Sequence, residues 1–362
     1  MASELVVPVV KLVNVRPHSN ADALDLCDVL GYQMCVPKGK YKGGEMAAYF
    51  PADTLLPAEW ADKFGVRKYL KGKEQDRVGR VRLRGEPSFG LIADIPEGVD
   101  WKEGDNVAAH YSCRKYEPPI KVGCGDAAAY DEQVDPYFEK FTDVQNGRIF
   151  TDVLVEGEEV VFTEKINGTN CRVGSVGGRT VAGSMEVRRK SPVRKMADGT
   201  EEIIGFEDED IKKSTYWFPW SIGGVRELMK SYSPHTTAIL YGEVYGGSVQ
   251  SLDYGVAKGK GLGFRAFGLR VGGKFLDWDE FISICAKYGV ETVPVLWRGP
   301  FSMAKAKELA DGKSEMAEHI REGCVVYPVN ERTDPRVGRA ILKFIGTEYE
   351  LSKHKDADTK DV

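Results

Sequence analysis

The apolar residues of the first 115 or so positions come in short runs, each closed by a turn. This punctuation limits the fold more than any other feature of the chain. Runs at 6–15, 23–31, 32–37 and 46–51 are separated by segments such as 17–22 and 51–57, rich in Pro, Asn and Asp. Short apolar runs broken by turn formers predict strands, and several in succession predict a small β-barrel. The clearest strand is 80–84, where Arg80, Arg82 and Arg84 alternate with Val81 and Leu83, so one face is basic and the other apolar. Residues 66–85 hold eight basic side chains against two acidic ones. Two readings of this run stay open: a solvated sheet face, or a phosphate-tracking surface on a five-stranded barrel.

Beyond the barrel, paired prolines, glycines and small residues predict a linker at 119–143 between a first domain at 1–118 and a second at 144–351. The second domain alternates strands (160–166, 238–246, 264–271, 323–329, 339–345) with helices (224–231, 277–288, 302–320), an α+β pattern with antiparallel strands. The end, 352–362, reads as a polar, frayed tail. No glycine-rich dinucleotide fingerprint and no P-loop occurs. A hydrophobic fraction of 42% is enough for a substantial core, yet no run approaches the ~18 apolar residues of a membrane span. The first twenty residues lack the pattern of a secretory signal. Seven cysteines without a Cys-x-x-Cys pair, and only five histidines, argue for reduced thiols in the cytoplasm or another intracellular reducing compartment, not a zinc cage or disulfide scaffold. With a net charge of −5, a nucleic-acid partner has to be held by local basic patches.

The chemistry centres on 163–170, Thr-Glu-Lys-Ile-Asn-Gly-Thr-Asn, where Lys165 ends an apolar run and Gly168 follows three residues later. Such a lysine can be presented from a strand end into a cleft. A Lys-x-x-Gly alone is common and recurs at Lys40, Lys258, Lys260 and Lys343. It gains weight from an ordered series downstream: Arg188-Arg189-Lys190 with Arg194 and Lys195, Glu243 in 240–246, Phe264 and Phe267 in 264–267, Glu322 before Gly323, and Lys343 in 341–345. The basic cluster 188–195 also reads as a counterweight to the acid-rich stretch 198–210.

Together these elements resemble the covalent nucleotidyltransferase superfamily of ATP-dependent ligases and capping enzymes. The ungapped Glu-Lys-x-x-Gly-Thr-Asn at 164–170 is most similar to RNA ligases. A barrel placed ahead of the transferase domain resembles the Deinococcus/Naegleria-type, the fifth RNA ligase family. The resemblance implies an OB-like barrel followed by an adenylyltransferase (ATP-grasp-like ligase) domain of antiparallel sheets with flanking helices. It further implies an ATP-dependent RNA ligase that forms a lysyl-AMP at Lys165 and joins 3′-OH and 5′-phosphate ends, at nicks in RNA or RNA/DNA duplexes, as a monomer with Mg2+ or Mn2+. Lys165, Glu322 and Lys343 would be catalytic, with Lys343 as the cation that lowers the pKa of Lys165. Glu164, Asn170, Arg188 or Arg189, Glu243 and an aromatic platform, Phe264 or Phe267, would bind the nucleotide. Glu243, Glu322 and Asn167 would surround the metal, and Arg80, Arg82 and Arg84 would grip nucleic acid. Two positions depart from the pattern: many relatives have Asp where Asn167 stands, and a second lysine where Ile345 stands. These departures keep one alternative in view, a nucleic-acid-binding protein with a degenerate transferase domain. A DNA-joining or capping-type transferase is the other, disfavoured by the position of the barrel.

Overall fold

The computed structural model describes residues 5–117, 130–131, 135–232 and 234–352. The chain divides into two compact units: Met1–Ile120 with Arg148–Phe150 and Glu350–Val362, and Lys121–Gly147 with Thr151–Tyr349.

In the first unit, strands Val9–Lys11, Met46–Phe50 and Leu91–Asp94 form one antiparallel sheet, and Val13–Pro17, Leu24–Val29 and Tyr32–Pro37 form another. The apolar runs are dense because several strands bury both faces. Val9, Ala48 and Phe50 enter one cluster with Leu56 and Val78, while their neighbours Val10, Ala47 and Tyr49 enter a second with Cys27 and Met34. A short pair of Thr54–Leu55 with Arg114–Lys115 and a hairpin of Arg80–Leu83 and Glu86–Phe89 accompany them. Here the structure corrects the expected basic strand. Arg84 is not in it: Arg84 and Gly85 have φ of 50° and 91° and form the two-residue turn. Turns of this hand match the right-handed twist of paired strands.

The second unit is built on two sheets. Seven strands run in the order Tyr130–Asp131, Arg188–Arg189, Arg179–Ser184, Thr169–Val176, Ala238–Tyr245, Gly263–Val271 and Lys274–Phe275, every pair antiparallel. Five more run in the order Gln145–Asn146, Leu342–Ile345, Gly323–Pro328, Glu159–Glu164 and Val295–Pro300, with the first pair parallel. One core joins them, with Val161 and Tyr327 from the smaller sheet, Ile341 just ahead of strand Leu342–Ile345, and Tyr241, Leu240 and Phe264 from the larger. Helices Gly223–Lys230 and Trp278–Lys287 bury Leu228, Met229 and Phe281 in that core. The architecture is α+β.

Two boundaries differ from expectation. The helix foreseen over 302–320 stops at Ala310, because Gly312 has φ of 116° and the Arg321 guanidinium occupies the space where a Cβ would stand. Part of the foreseen linker is ordered core: Phe138 and Phe141 are 2% and 3% exposed. The remainder of that linker, 119–129 and 132–134, and the tail from 353 lie outside the described residues.

Candidate active site

Lys165 follows directly on strand Glu159–Glu164, and its backbone N–H donates to Gly323 O. Its neighbour Glu164 pairs across the ladder with Cys324, whose thiol meets Ala306 O on helix Met303–Ala310. Glu164 therefore lies on the helix-covered face, and strand alternation turns Lys165 to the opposite face, toward the larger sheet. There Lys165 Nζ contacts Glu322 Oε1 at 2.7 Å, with the Lys165 side chain 26% exposed. Burial pulls the Lys165 pKa down, but Glu322 and then Glu243 outweigh it, so the ammonium is held above its usual range. This corrects the expectation that a neighbouring cation lowers that pKa: the charges that set it are carboxylates. Lys343 sits in strand Leu342–Ile345 opposite Val325, which in turn faces Thr163, and Ile345 stands opposite Gly323.

The register of the larger sheet assembles the other groups. Asn170, Glu243 and Arg265 are direct cross-strand partners and so share one face. Burial pushes the Glu243 carboxyl up to about 8, with Lys165 opposing and Glu322 adding to the rise. Gly168 explains the spacing of the motif: a Cβ there would lie 2.3 Å from Val244 O and 2.9 Å from the Glu243 side chain. Only glycine lets the segment after the lysine approach strand Ala238–Tyr245 so closely.

Asn167 lies at the centre of a polar network. Its Nδ2 donates to Glu322 Oε2 at 3.0 Å and to the Tyr349 hydroxyl at 3.1 Å. Its backbone N–H donates to the Tyr254 hydroxyl at 2.6 Å, and its Oδ1 accepts from Ser251 Oγ at 3.3 Å. Two buried acceptors of segment 163–170, Glu164 Oε1 and Asn170 Oδ1, have no partner among the described residues. The other Glu164 oxygen accepts from the Glu315 N–H at 2.7 Å. Glu315, Pro294, Arg265, Tyr254 and Trp278 line a cavity of about 620 Å³ beside this segment.

Register also separates residues that the sequence left as alternatives. Arg188 pairs with Gly183, and Gly183 with Arg172, which puts Arg188 on the Glu243 face, where it ion-pairs with Asp135 at 2.9 Å. Arg189 lies on the reverse face, its guanidinium 4.4 Å from the Tyr216 ring centre. Phe264 is likewise on the face away from Glu243, 4% exposed, its ring filling the space left by Gly242. Phe267 sits at a bulge in the same strand and packs edge-on against Phe141, which also touches Tyr241. Arg194 is held by Asp208 at 2.8 Å and Asp210 at 3.3 Å, so at that position the basic cluster does balance the acidic stretch. In the barrel, Arg80 pairs with the buried Glu350 at 2.7 Å, and Arg82 Nη1 donates to Gly85 O at 3.5 Å. Sequence reasoning missed Tyr349, Tyr254, Ser251 and Arg265. Only Arg265 carried a signal, by its place in the 264–267 run.

Six cysteines are described and all are free. Among the described residues, no helix is long and apolar enough to cross a membrane.

No curated protein matches the chain. Residues 6–95 match a model of an OB-fold domain. The fold is similar to Naegleria gruberi RNA ligase with PPi, at 21% identity and a TM-score of 0.69 over 96% of this chain and 98% of that one. A lysine-to-alanine mutant of the Naegleria ligase, with ATP and Mn, aligns over 97% of this chain and all of that one, at 22% identity and a TM-score of 0.70. The first unit is thus an OB fold and the second a ligase domain. Residues 158–345, just over half the chain, match the RNA ligase model, and the protein belongs to the RNA ligase family.

Proposed function

We propose that the protein is an ATP-dependent RNA ligase that carries AMP on Lys165 and joins 3′-OH to 5′-phosphate ends, at nicks in RNA or RNA/DNA duplexes, as a monomer. The observation that supports this reading is the contact of Lys165 Nζ with Glu322 Oε1 at 2.7 Å, with the Glu243 charge also raising the lysine pKa. Similarity to a ligase whose structures contain ATP, AMP, PPi and Mn supports the choice of nucleotide.

The reaction runs in three transfers. Lys165 Nζ attacks the α-phosphorus, an N–P bond forms, and pyrophosphate leaves with the electrons of the broken P–O bond. A 5′-phosphate oxygen then displaces the lysine and takes the AMP. Finally a 3′-oxygen attacks that 5′-phosphorus, and AMP departs. Before the first step Lys165 must lose a proton, and Glu322 Oε1, at 2.7 Å, is the acceptor within reach. The two unpaired acceptors fit a nucleoside: Glu164 Oε1 would take a base amino group and Asn170 Oδ1 a ribose hydroxyl. Phe267 is the better-placed ring to stack on the base, and Arg188 the better-placed arginine for a phosphate. Lys343 completes the phosphate contacts. Among the described residues no cluster of three or more metal ligands forms, so Mg2+ or Mn2+ would be held by Glu243 and Glu322 with phosphate oxygens and water, an all-oxygen set that suits these ions. When bound, the ion neutralises phosphate charge and stabilises the transition state.

Incubation with labelled ATP and Mg2+ tests the reading. Wild type should retain AMP covalently, while Lys165→Ala and Lys165→Arg should retain none, since neither methyl nor guanidinium can act as the nucleophile. A labelled adduct in Lys165→Ala at the wild-type level rejects the assignment. Covalent GMP from GTP would point to capping, and no adduct in wild type to a binding protein.

A further inference from the structure

Both polar atoms of the Asn167 side chain, and its backbone N–H, have partners. Both hydrogens of its amide are spent within the protein, one on Glu322 and one on Tyr349, and its oxygen already accepts from Ser251. The backbone N–H is taken by Tyr254, whose φ of 50° lies in the left-handed region that a bulky residue rarely enters. Strain kept at the residue that anchors Asn167 marks the network as one whose geometry matters. Tyr349, 6% exposed, comes from the short helix Thr347–Ser352. Glu322 in turn is gripped at both oxygens, Oε2 by Asn167 and Oε1 by Lys165.

We propose that Tyr349 and Asn167 are positioning residues: the Tyr349 hydroxyl orients the Asn167 carboxamide, which holds Glu322 so that its second oxygen faces Lys165. This rests on Lys165 as the nucleophile and goes beyond it, by assigning position 167 to Glu322 instead of to a metal-bound water. The residue at 167 is matched to its neighbours as a donor. An aspartate there would keep the shape but set an acceptor against Glu322 Oε2, leaving three carboxylates around one lysine.

A double-mutant cycle tests the link. Lysyl-AMP formation is timed for wild type, Asn167→Ala, Tyr349→Phe and the double variant, and each is melted without nucleotide or metal. Tyr349→Phe should slow adduct formation at saturating ATP about threefold or more, leave half-saturating ATP unchanged, and add nothing in the Asn167→Ala background. Rate effects that simply multiply in the double variant overturn the Tyr349 link. Asn167→Asp should form the adduct at least about tenfold more slowly, and should melt at a lower temperature without metal. If Asn167→Asp instead matches wild type and needs less metal for half-maximal rate, the positioning role is wrong and position 167 contacts metal-bound water. Should wild type form no adduct, the nucleophile reading fails. The melting cycle alone then decides the Tyr349–Asn167 coupling, non-additive shifts supporting it and additive shifts rejecting it.

Discussion

Lys165 and Glu243 lean toward opposite charge states, and stability should report both. Glu243, raised from 4.5 to about 8 mainly by burial, binds a proton more readily in the folded chain than in the unfolded one. Over that window the native state holds more protons, so stability should fall as pH rises from about 5 to 8 in metal-free protein. Glu243→Gln should flatten this slope in melting or urea titrations; an unchanged slope would mean that Glu243 is ionised throughout. Lys165 acts in the same direction at higher pH. Its pKa is raised, so its contribution is complete below pH 10.5 and is lost as pH climbs through the higher folded value. Gly168 is decided by sterics alone. Gly168→Ala puts a Cβ 2.3 Å from Val244 O, and the forced shift of the segment after Lys165 should reduce lysyl-AMP formation at least about tenfold, measured beside a melting curve that reports any loss of fold.

The hairpin in the OB fold shows where its basic character is concentrated. Turn formation removes Arg84 from the strand, and Arg80 is paired with Glu350. The cations instead crowd around Lys71, whose pKa is lowered by burial and then by Arg80 and Arg77. Like charges gathered at one point favour an anion there, and a phosphate is the natural one. Lys71→Ala should therefore weaken nicked-duplex binding and reduce the slope of log affinity against log salt by about one contact's worth, 0.7–0.9. An unaltered slope would leave the face as a solvated surface. Much at this scale was legible in the sequence. The strand that leads into Lys165 and those holding Glu243 and Lys343 were found because their apolar runs are short and bounded. The choices left open depended on register: Arg188 against Arg189, and Phe264 against Phe267, differ in where pairing puts them on a sheet, and that is fixed by distant strands. The helix after Ser302 was overdrawn because apolar spacing continues past Gly312, whose backbone ends it. Tyr349 gave no signal at all, since a hydroxyl on a short helix near a polar tail looks like surface.

For the molecule as a whole, the division of the chain does not follow one cut in sequence. Residues 148–150 belong with the OB fold: Arg148, 3% exposed, stacks 4.6 Å from the Tyr32 ring centre and donates to Gly31 O. Deleting 1–117 should spare lysine adenylation more than end joining, because Lys165, the proposed nucleophile, lies with Glu243 and Glu322 in the second unit. The deletion also strips Arg148 of its partners, so Arg148→Ser made in the same deletion should recover solubility without changing the adenylation rate. If adenylation falls as far as joining, the OB fold is needed for the first chemical step. The short helix at 347–352 sets the other limit. A chain ended at Ile345, where the family match stops, keeps every described strand of both ligase sheets. It nevertheless loses two adjacent side chains with separate duties, the Tyr349 hydroxyl on Asn167 and the Glu350 carboxylate on Arg80. Anyone trimming this ligase to the limit of its family match, or fusing a tag close behind it, would be editing the Lys165–Glu322–Asn167 network and the OB fold at one stroke.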